Sequence, residues 1–174
     1  MACGRRRSSK REYPARINVV DSFYHLKAEP DGSAFLFGVV MKIRTGSLDE
    51  CIEVANAIPE FLHKETVLNL AKRLQDKVNL VLIAEDDGNL LGFKIGYELD
   101  KDSFYSWFGG VLPEGRKRGV AQLLMEEQEK WAIKSGYKQI NVKSRNEFPS
   151  MLRLLIRNGY LVDMVEKYPD ILES

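Results

Sequence analysis

The stretch Gly109-Gly110-Val111-Leu112-Pro113-Glu114-Gly115-Arg116-Lys117-Arg118-Gly119-Val120-Ala121 joins a β-prone run to a long amphipathic segment through a loop rich in glycine and basic residues. Upstream, Phe104 to Leu112 is aromatic and reads as a strand. Downstream, Val120, Leu123, Leu124 and Trp131 mark one face of a helix that Gly136 closes. A helix start offers unpaired backbone N–H groups and about half a positive charge. Gly119 and Ala121 are small enough for an anion to approach the backbone, and Arg116, Lys117 and Arg118 add cations, so the junction suits a diphosphate. On spacing alone, a solvated basic turn explains these residues equally well. Neither the P-loop pattern nor the three-glycine dinucleotide fingerprint is present.

Working outward toward the N-terminus, Asp100-Lys101-Asp102 reads as a turn, Leu90 to Leu99 as a strand, Asp86-Asp87-Gly88-Asn89 as a tight turn and Leu80 to Ala84 as its hairpin partner. Two short helices precede the hairpin. In the second, Thr66 is placed to cap and Val67, Leu70, Ala71 and Leu74 form a face. In the first, Leu48, Ile52 and Ala55 have helical spacing, Ser47 and Glu50 match a capping box, and Pro59 stops the helix. Met41 to Arg44 alternates like a short strand. Toward the C-terminus, Tyr137 to Lys143 reads as a strand and Glu147 to Asn158 as a helix with Met151, Leu152, Leu155 and Ile156 inward. Gly159 closes that helix, and Tyr160 to Val165 reads as a final strand. The order βααβββαβαβ predicts an α/β or α+β domain with a sheet of mixed direction. Residues 1–40 read as an N-terminal extension, poorly ordered at least through residue 33, with Ala34 to Val40 able to lengthen the first strand; residues 41–174 read as the functional domain.

Composition narrows the function classes. The 174 residues are 44% hydrophobic, enough for one domain with a core. With 26 Lys plus Arg against 25 Asp plus Glu, the net charge of +1 supplies no field for nucleic acid or an anionic membrane. Cys3 and Cys51 form no Cys-x-x-Cys pair, and His25 and His63 have no partner at metal-ligand spacing, so no metal is expected. No apolar run approaches the ~20 residues of a spanning helix. The basic cluster Arg5, Arg6, Arg7, Lys10 and Arg11 is not followed by a signal-peptide core, so a cytoplasmic protein is expected.

At the glycine-rich loop the sequence resembles the GNAT superfamily of N-acetyltransferases, whose pyrophosphate signature Gln/Arg-x-x-Gly-x-Gly/Ala is matched by Arg116, Gly119 and Ala121. The likeness extends from about Met41 to Val165. It takes in the two helices before the hairpin, the aromatic strand entering the signature, and Gly159-Tyr160 where the family has Gly-Phe or Gly-Tyr. Phe104-Tyr105-Ser106-Trp107 and Gln128-Glu129-Lys130-Trp131-Ala132 look like a subgroup of small bacterial members with unassigned substrates.

The resemblance implies a mixed, mostly antiparallel sheet flanked by helices and an acetyl-CoA cleft. The strand entering the signature would splay from its neighbour, so that Gly110, Val111 and Leu112 pair with the pantetheine arm and Pro113 ends the strand. The pyrophosphate would lie on the N–H groups of Arg118, Gly119, Val120 and Ala121, with Arg116 and Lys117 beside it. Asn146 is the candidate for a further cofactor contact, and its ordinary reading is a helix N-cap. The Val111 N–H would polarise the thioester oxygen. Tyr105 stands where histone-type members carry a base carboxylate, and Leu155 where many members carry a tyrosine acid; Ser144 and Tyr105 are the substitutes, although an aromatic in a strand is usually a wall. Glu60, Phe61 and Glu98 are candidates to surround an acceptor amine. Family members continue into a seventh strand, for which Tyr168-Pro169-Asp170 resembles the preceding turn and Ile171 to Ser174 is too short. The expected activity is transfer of acetyl from acetyl-CoA to a primary amine of a small molecule or peptide, with a homodimer left open. The rivals are a non-catalytic acyl-CoA-binding module and an interaction domain whose basic loop binds carboxylates or phosphates.

Overall fold

The computed structural model describes residues 41–165. The expectations for residues 1–40 and for the segment from Tyr168 to Ser174 fall outside the described residues. The elements in chain order are β1 (Lys42–Thr45), α1 (Leu48–Ala57), α2 (Val67–Leu74), β2 (Asn79–Asp86), β3 (Asn89–Asp100), β4 (Ser103–Val111), a single 3₁₀ turn (Pro113–Gly115), α3 (Val120–Lys134), β5 (Gln139–Val142) and α4 (Pro149–Arg157). The five strands lie in sequence order, antiparallel from β1 to β4, with β5 parallel to β4. This is the sheet of mixed direction that the element order predicts, and the mostly antiparallel, helix-flanked arrangement that the resemblance implies.

Local chemistry sets the helix starts. The Ser47 hydroxyl accepts from the Glu50 N–H at 3.2 Å and the Glu50 carboxylate accepts from the Ser47 N–H at 2.7 Å, which completes the expected capping box. Arg44 on β1 donates to Glu50 and to Glu85 on β2, each at 2.6 Å, and so ties the first strand to the first helix. Thr66 caps α2 by accepting from the Asn69 N–H at 3.1 Å. Asp87 (φ 48°) and Gly88 (φ 78°) are both left-handed, the backbone that a two-residue hairpin turn needs to match strand twist.

The helix faces rotate slightly from the predicted ones. Helix α1 buries Cys51, Val54 and Ala55, while Leu48 and Ile52 are half-buried at the edge of that stripe. Helix α2 turns Leu70 and Leu74 inward and leaves Ala71 exposed. In α3 the inward residues are Val120, Leu124, Met125, Gln128 and Ala132, with Leu123 at the rim. In α4, Leu155 is buried and Met151 and Leu154 pack on the core, whereas Ile156 points outward because a helix this short contacts the sheet with only one narrow stripe.

Helices α1 and α2 cover one face of the sheet and α3 and α4 the other. Along β3, Phe93, Ile95 and Tyr97 join the layer beneath α1 and α2. The residues that alternate with them face α3: a Cβ at Gly92 would come within 3.0 Å of Val120, and one at Gly96 would stand 2.8 Å from Gln128 Nε2. Glycines 136 and 159 close α3 and α4 in the same way, each left-handed and followed by an N–H that reaches back five residues, from Tyr137 to Ala132 and from Tyr160 to Leu155.

The expected last strand is corrected. Residues 160–165 are not a strand, and Leu161, Val162, Met164 and Val165 are all more than half exposed. An extended run becomes a strand only where a neighbouring ladder accepts its backbone bonds, and none of the described strands lies against it. Among the described residues no helix is long and apolar enough to cross a membrane.

Candidate active site

Strand β4 has two partners and outlasts one of them. It pairs with β3 as far as Gly92↔Val111, but with β5 only over Ser103 to Ser106, opposite Gln139 to Val142. Where β5 is lost, Ile95 faces Phe108 and Gly96 faces Ser106, so Trp107 is an extra residue on β4. Such a bulge bends the strand and ends pairing on one side. From Trp107 to Val111 the outer edge of β4 therefore has no strand beside it among the described residues, in the place where the resemblance calls for a splay. Gly110 and Val111 lie on this free stretch, and Leu112 lies just past it, with its N–H donating to the Leu91 carbonyl at 2.9 Å.

The free stretch runs into the glycine-rich basic loop. Pro113 starts the 3₁₀ turn, Lys117 has φ 60°, and Gly119 has φ 83° as the N-cap of α3 with no side-chain cap. The first intrahelical bond runs from the Leu123 N–H to the Gly119 carbonyl at 3.0 Å, which leaves the N–H groups of Val120 and Ala121 ahead of the ladder. Nothing lies within 4 Å of where a Gly119 Cβ would be, so the approach to these groups is open. Val120, buried under the sheet, anchors the turn.

Two of the three loop cations are already engaged. Arg116 donates through both terminal nitrogens to the two oxygens of Glu60, each at 2.7 Å, and through Nε to the Val111 carbonyl at 3.3 Å. The Glu60 carboxylate raises the Arg116 pKa, and Arg116 holds the Glu60 carboxyl below its usual range. Arg118 pairs with Asp86 of the β2–β3 turn at 2.5 Å. Lys117 has no carboxylate partner among the described residues. Arg116, which the resemblance sets beside a pyrophosphate, is thus held by a carboxylate.

On the α1–α2 face the free stretch is walled by aromatics. Phe61 lies 5.4 Å from Phe108 and 6.4 Å from Phe148, and it covers Gly110 so closely that a Cβ there would come within 3.0 Å of its ring. Tyr97 lies 5.4 Å from Tyr105 and 5.8 Å from Trp107, with Arg73 over the Trp107 ring at 5.5 Å. Glu60 and Phe61 come together here. Glu98 does not join them: the alternation of β3 turns it to the α3 face, where its carboxylate accepts from the Tyr137 hydroxyl at 2.6 Å. Tyr105 is half-buried in the aromatic wall, and Leu155 is core. Asn146 is exposed in the turn between β5 and α4 and does not cap the helix; Phe148 holds that position and Pro149 begins the first turn.

A polar group on the opposite face escapes the sequence reading. Lys94 on β3, opposite Gly109, is only 8% exposed, and burial pushes its pKa down to about 8 against the pull of Glu129. Gln128 is buried beside Gly96 with its Nε2 unpartnered, and Tyr160 donates to Glu129 at 2.7 Å. One signal of this group is legible in the sequence, since Gln128 sits on the same stripe as Val120 and Leu124, where an apolar residue is the rule. Among the described residues no cluster of His, Cys, Asp and Glu could hold a metal.

The model of the acetyltransferase (GNAT) family matches residues 48–160. Among solved structures, an aminoglycoside N-acetyltransferase in complex with CoA superposes with a TM-score of 0.62 at 20% identity, covering 77% of this chain and 97% of that one. A ribosomal-protein-alanine N-acetyltransferase from Brucella melitensis gives 0.60 at 19% identity, covering 75% and 99%. A transcriptional regulator from Bacillus halodurans gives 0.62 at 13% identity, covering 76% and 100%. At these identities the superpositions speak for the fold alone, while the match from α1 through Tyr160 takes in the free edge of β4 and the whole glycine-rich loop: the chain belongs to the acetyltransferase (GNAT) family.

Proposed function

We propose that the protein transfers the acetyl group of acetyl-CoA to a primary amine of a small molecule or peptide. The observation that carries this reading is the continuity of the free edge of β4 with the open N-terminus of α3, which offers a strand-like arm and its terminal diphosphate one unbroken path. When bound, acetyl-CoA supplies an activated thioester. Gly110 and Val111 would hold its arm along the free edge, while Leu112, whose N–H is taken by the Leu91 carbonyl and whose carbonyl accepts from the Gly115 N–H, would border the end of the arm rather than bond it. The N–H groups of Arg118, Gly119, Val120 and Ala121, with Lys117 and Arg116, would hold its phosphates, and Asn146 is a further candidate contact. The Val111 N–H would polarise the reacting carbonyl, an electrostatic contribution that side-chain substitution cannot remove. The amine would enter from the α1–α2 face, beside Phe61 and Tyr105. A phenol near pKa ~10 is a poor base at neutral pH, so Tyr105 acts as wall and water receives the amine's proton.

Calorimetry with acetyl-CoA followed by mass spectrometry of an amine panel tests the reading. Binding with an acetylated product supports it. Binding without product favours the non-catalytic acyl-CoA module, for which Leu155, buried where many family members carry a tyrosine, is the supporting observation.

A further inference from the structure

The bidentate pair between Arg116 and Glu60 has a geometry that a phosphate can copy. A guanidinium presents two parallel N–H donors, and a carboxylate or two phosphate oxygens fill them equally well. Arg116 is three residues before Gly119, and its Nε–H on the Val111 carbonyl keeps the guanidinium over the turn between the free edge of β4 and the start of α3. Its partner comes from the connection between α1 and α2, which has no regular structure from residue 58 to residue 66. Backbone bonding of that connection lies at its ends, from Ile58 N–H to the Ala55 carbonyl at 3.2 Å and from Leu70 N–H to the Thr66 carbonyl at 3.0 Å; around Glu60 there are the Phe61 N–H on the Ile58 carbonyl, at 3.2 Å, and the Lys64 ammonium on the Asn56 carbonyl, at 2.6 Å. Charge points the same way. Arg116, Lys117 and Arg118 are offset by Glu60, Asp86 and Glu114, so the loop and its partners sum to zero before any diphosphate arrives.

Resting on the acetyl-CoA reading, we propose that Glu60 is an internal stand-in for the diphosphate: it occupies Arg116 in the cofactor-free protein, acetyl-CoA displaces it, and the freed carboxylate, beside Phe61, then holds the ammonium group of the acceptor. Glu60 is thereby a competitor of the first substrate and a specificity residue for the second, and the acceptor is an amine that arrives as a cation. No bond is made or broken in this exchange; one ion pair replaces another.

Calorimetry with CoA on the full chain separates this role from a structural one. An exposed ion pair is a weak competitor, so removing it in Glu60→Gln should tighten CoA binding by about threefold to fivefold. Arg116→Gln should weaken it, and adding Glu60→Gln to Arg116→Gln should change nothing further. Hydrogen exchange gives a second measurement, in which CoA should speed exchange across residues 59–66 in the unaltered protein and leave it unchanged in Glu60→Gln. Benzylamine, used as a primary-ammonium probe, should bind the unaltered protein only when CoA is present, and bind Glu60→Gln more weakly. Unchanged or weaker CoA binding by Glu60→Gln overturns the competition. Benzylamine binding that is absent, or indifferent to CoA, overturns the acceptor role. A protein that binds no CoA in any form overturns the acetyl-CoA reading itself, a result distinct from either.

Discussion

A side chain at position 119 would have to take up a left-handed backbone and stand beside the open N–H groups of α3. Gly119→Asp adds a negative charge at that spot and should abolish the rise in melting temperature that CoA produces, which at 100 times the Kd corresponds to about 2.7 kcal/mol. Undiminished stabilisation of this variant would remove the loop from the site. Tyr105 is tested by Tyr105→Phe, which should lower kcat/KM by less than about tenfold, or ~1.4 kcal/mol, if the phenol is wall; a loss of several hundredfold with CoA affinity intact would make it the acid or base. Lys94 titrates in its buried setting near pH 8 against its ordinary 10.5, so the folded state binds fewer protons than the unfolded one in that interval. Stability should therefore rise as the pH goes from about 8 toward 9.5, below the ordinary tyrosine range, and Lys94→Met should flatten the rise in urea midpoints. Arg116, Gly119 and Ala121 are legible in the sequence as candidates because they lie in one local turn. The partner of Arg116 is not, because Glu60 lies 56 residues away and no local rule joins them.

Helix α1 is fastened at its start by three groups, Ser47, Glu50 and Arg44, and their chemistry sets an acid limit on that element. Hydrogen bonds from Arg44 and from the Ser47 N–H hold the Glu50 carboxyl down to about 2, against an ordinary 4.5. A depressed carboxylate contributes stability that is fully present above about 4.5 and lost as the pH falls toward 2. Glu50→Gln should lower stability at pH 6 and lessen its fall between pH 4.5 and 2, as read by circular dichroism melts. The expected boundaries of α1 and α2 hold because caps are short-range devices carried by residues three apart. The expected strand at 160–165 fails for the opposite reason. β-propensity is local, but a ladder partner is not, and no pattern within Tyr160 to Val165 says whether one is adjacent. The bulge at Trp107 is equally silent in the sequence, since an extra residue is defined only by its count against β3.

At the scale of the molecule, the two helical layers split the sheet into two chemically different faces, aromatic beneath α1 and α2 and partly polar beneath α3. The alternation of β3 makes the split, and it explains why Glu98, plausible in sequence as a neighbour of Glu60, lies on the other side. The layered α/β class is legible because helical and strand periodicities alternate along the chain, whereas the handing of individual polar residues to one face or the other depends on register. Cys51 belongs to the aromatic side: it is wholly buried on the inner face of α1, and burial pushes its thiol up to about 12. Only a thiolate reacts readily with alkylating reagents, so in the folded protein this sulfur is chemically silent at neutral pH. It becomes reactive when α1 lifts from the sheet, and the pace of that event is then written into the rate of carbamidomethylation. In a Cys3→Ser background, iodoacetamide uptake followed by mass should be slow and set by protein opening, and the chain carries in its first helix a stopwatch for its own breathing.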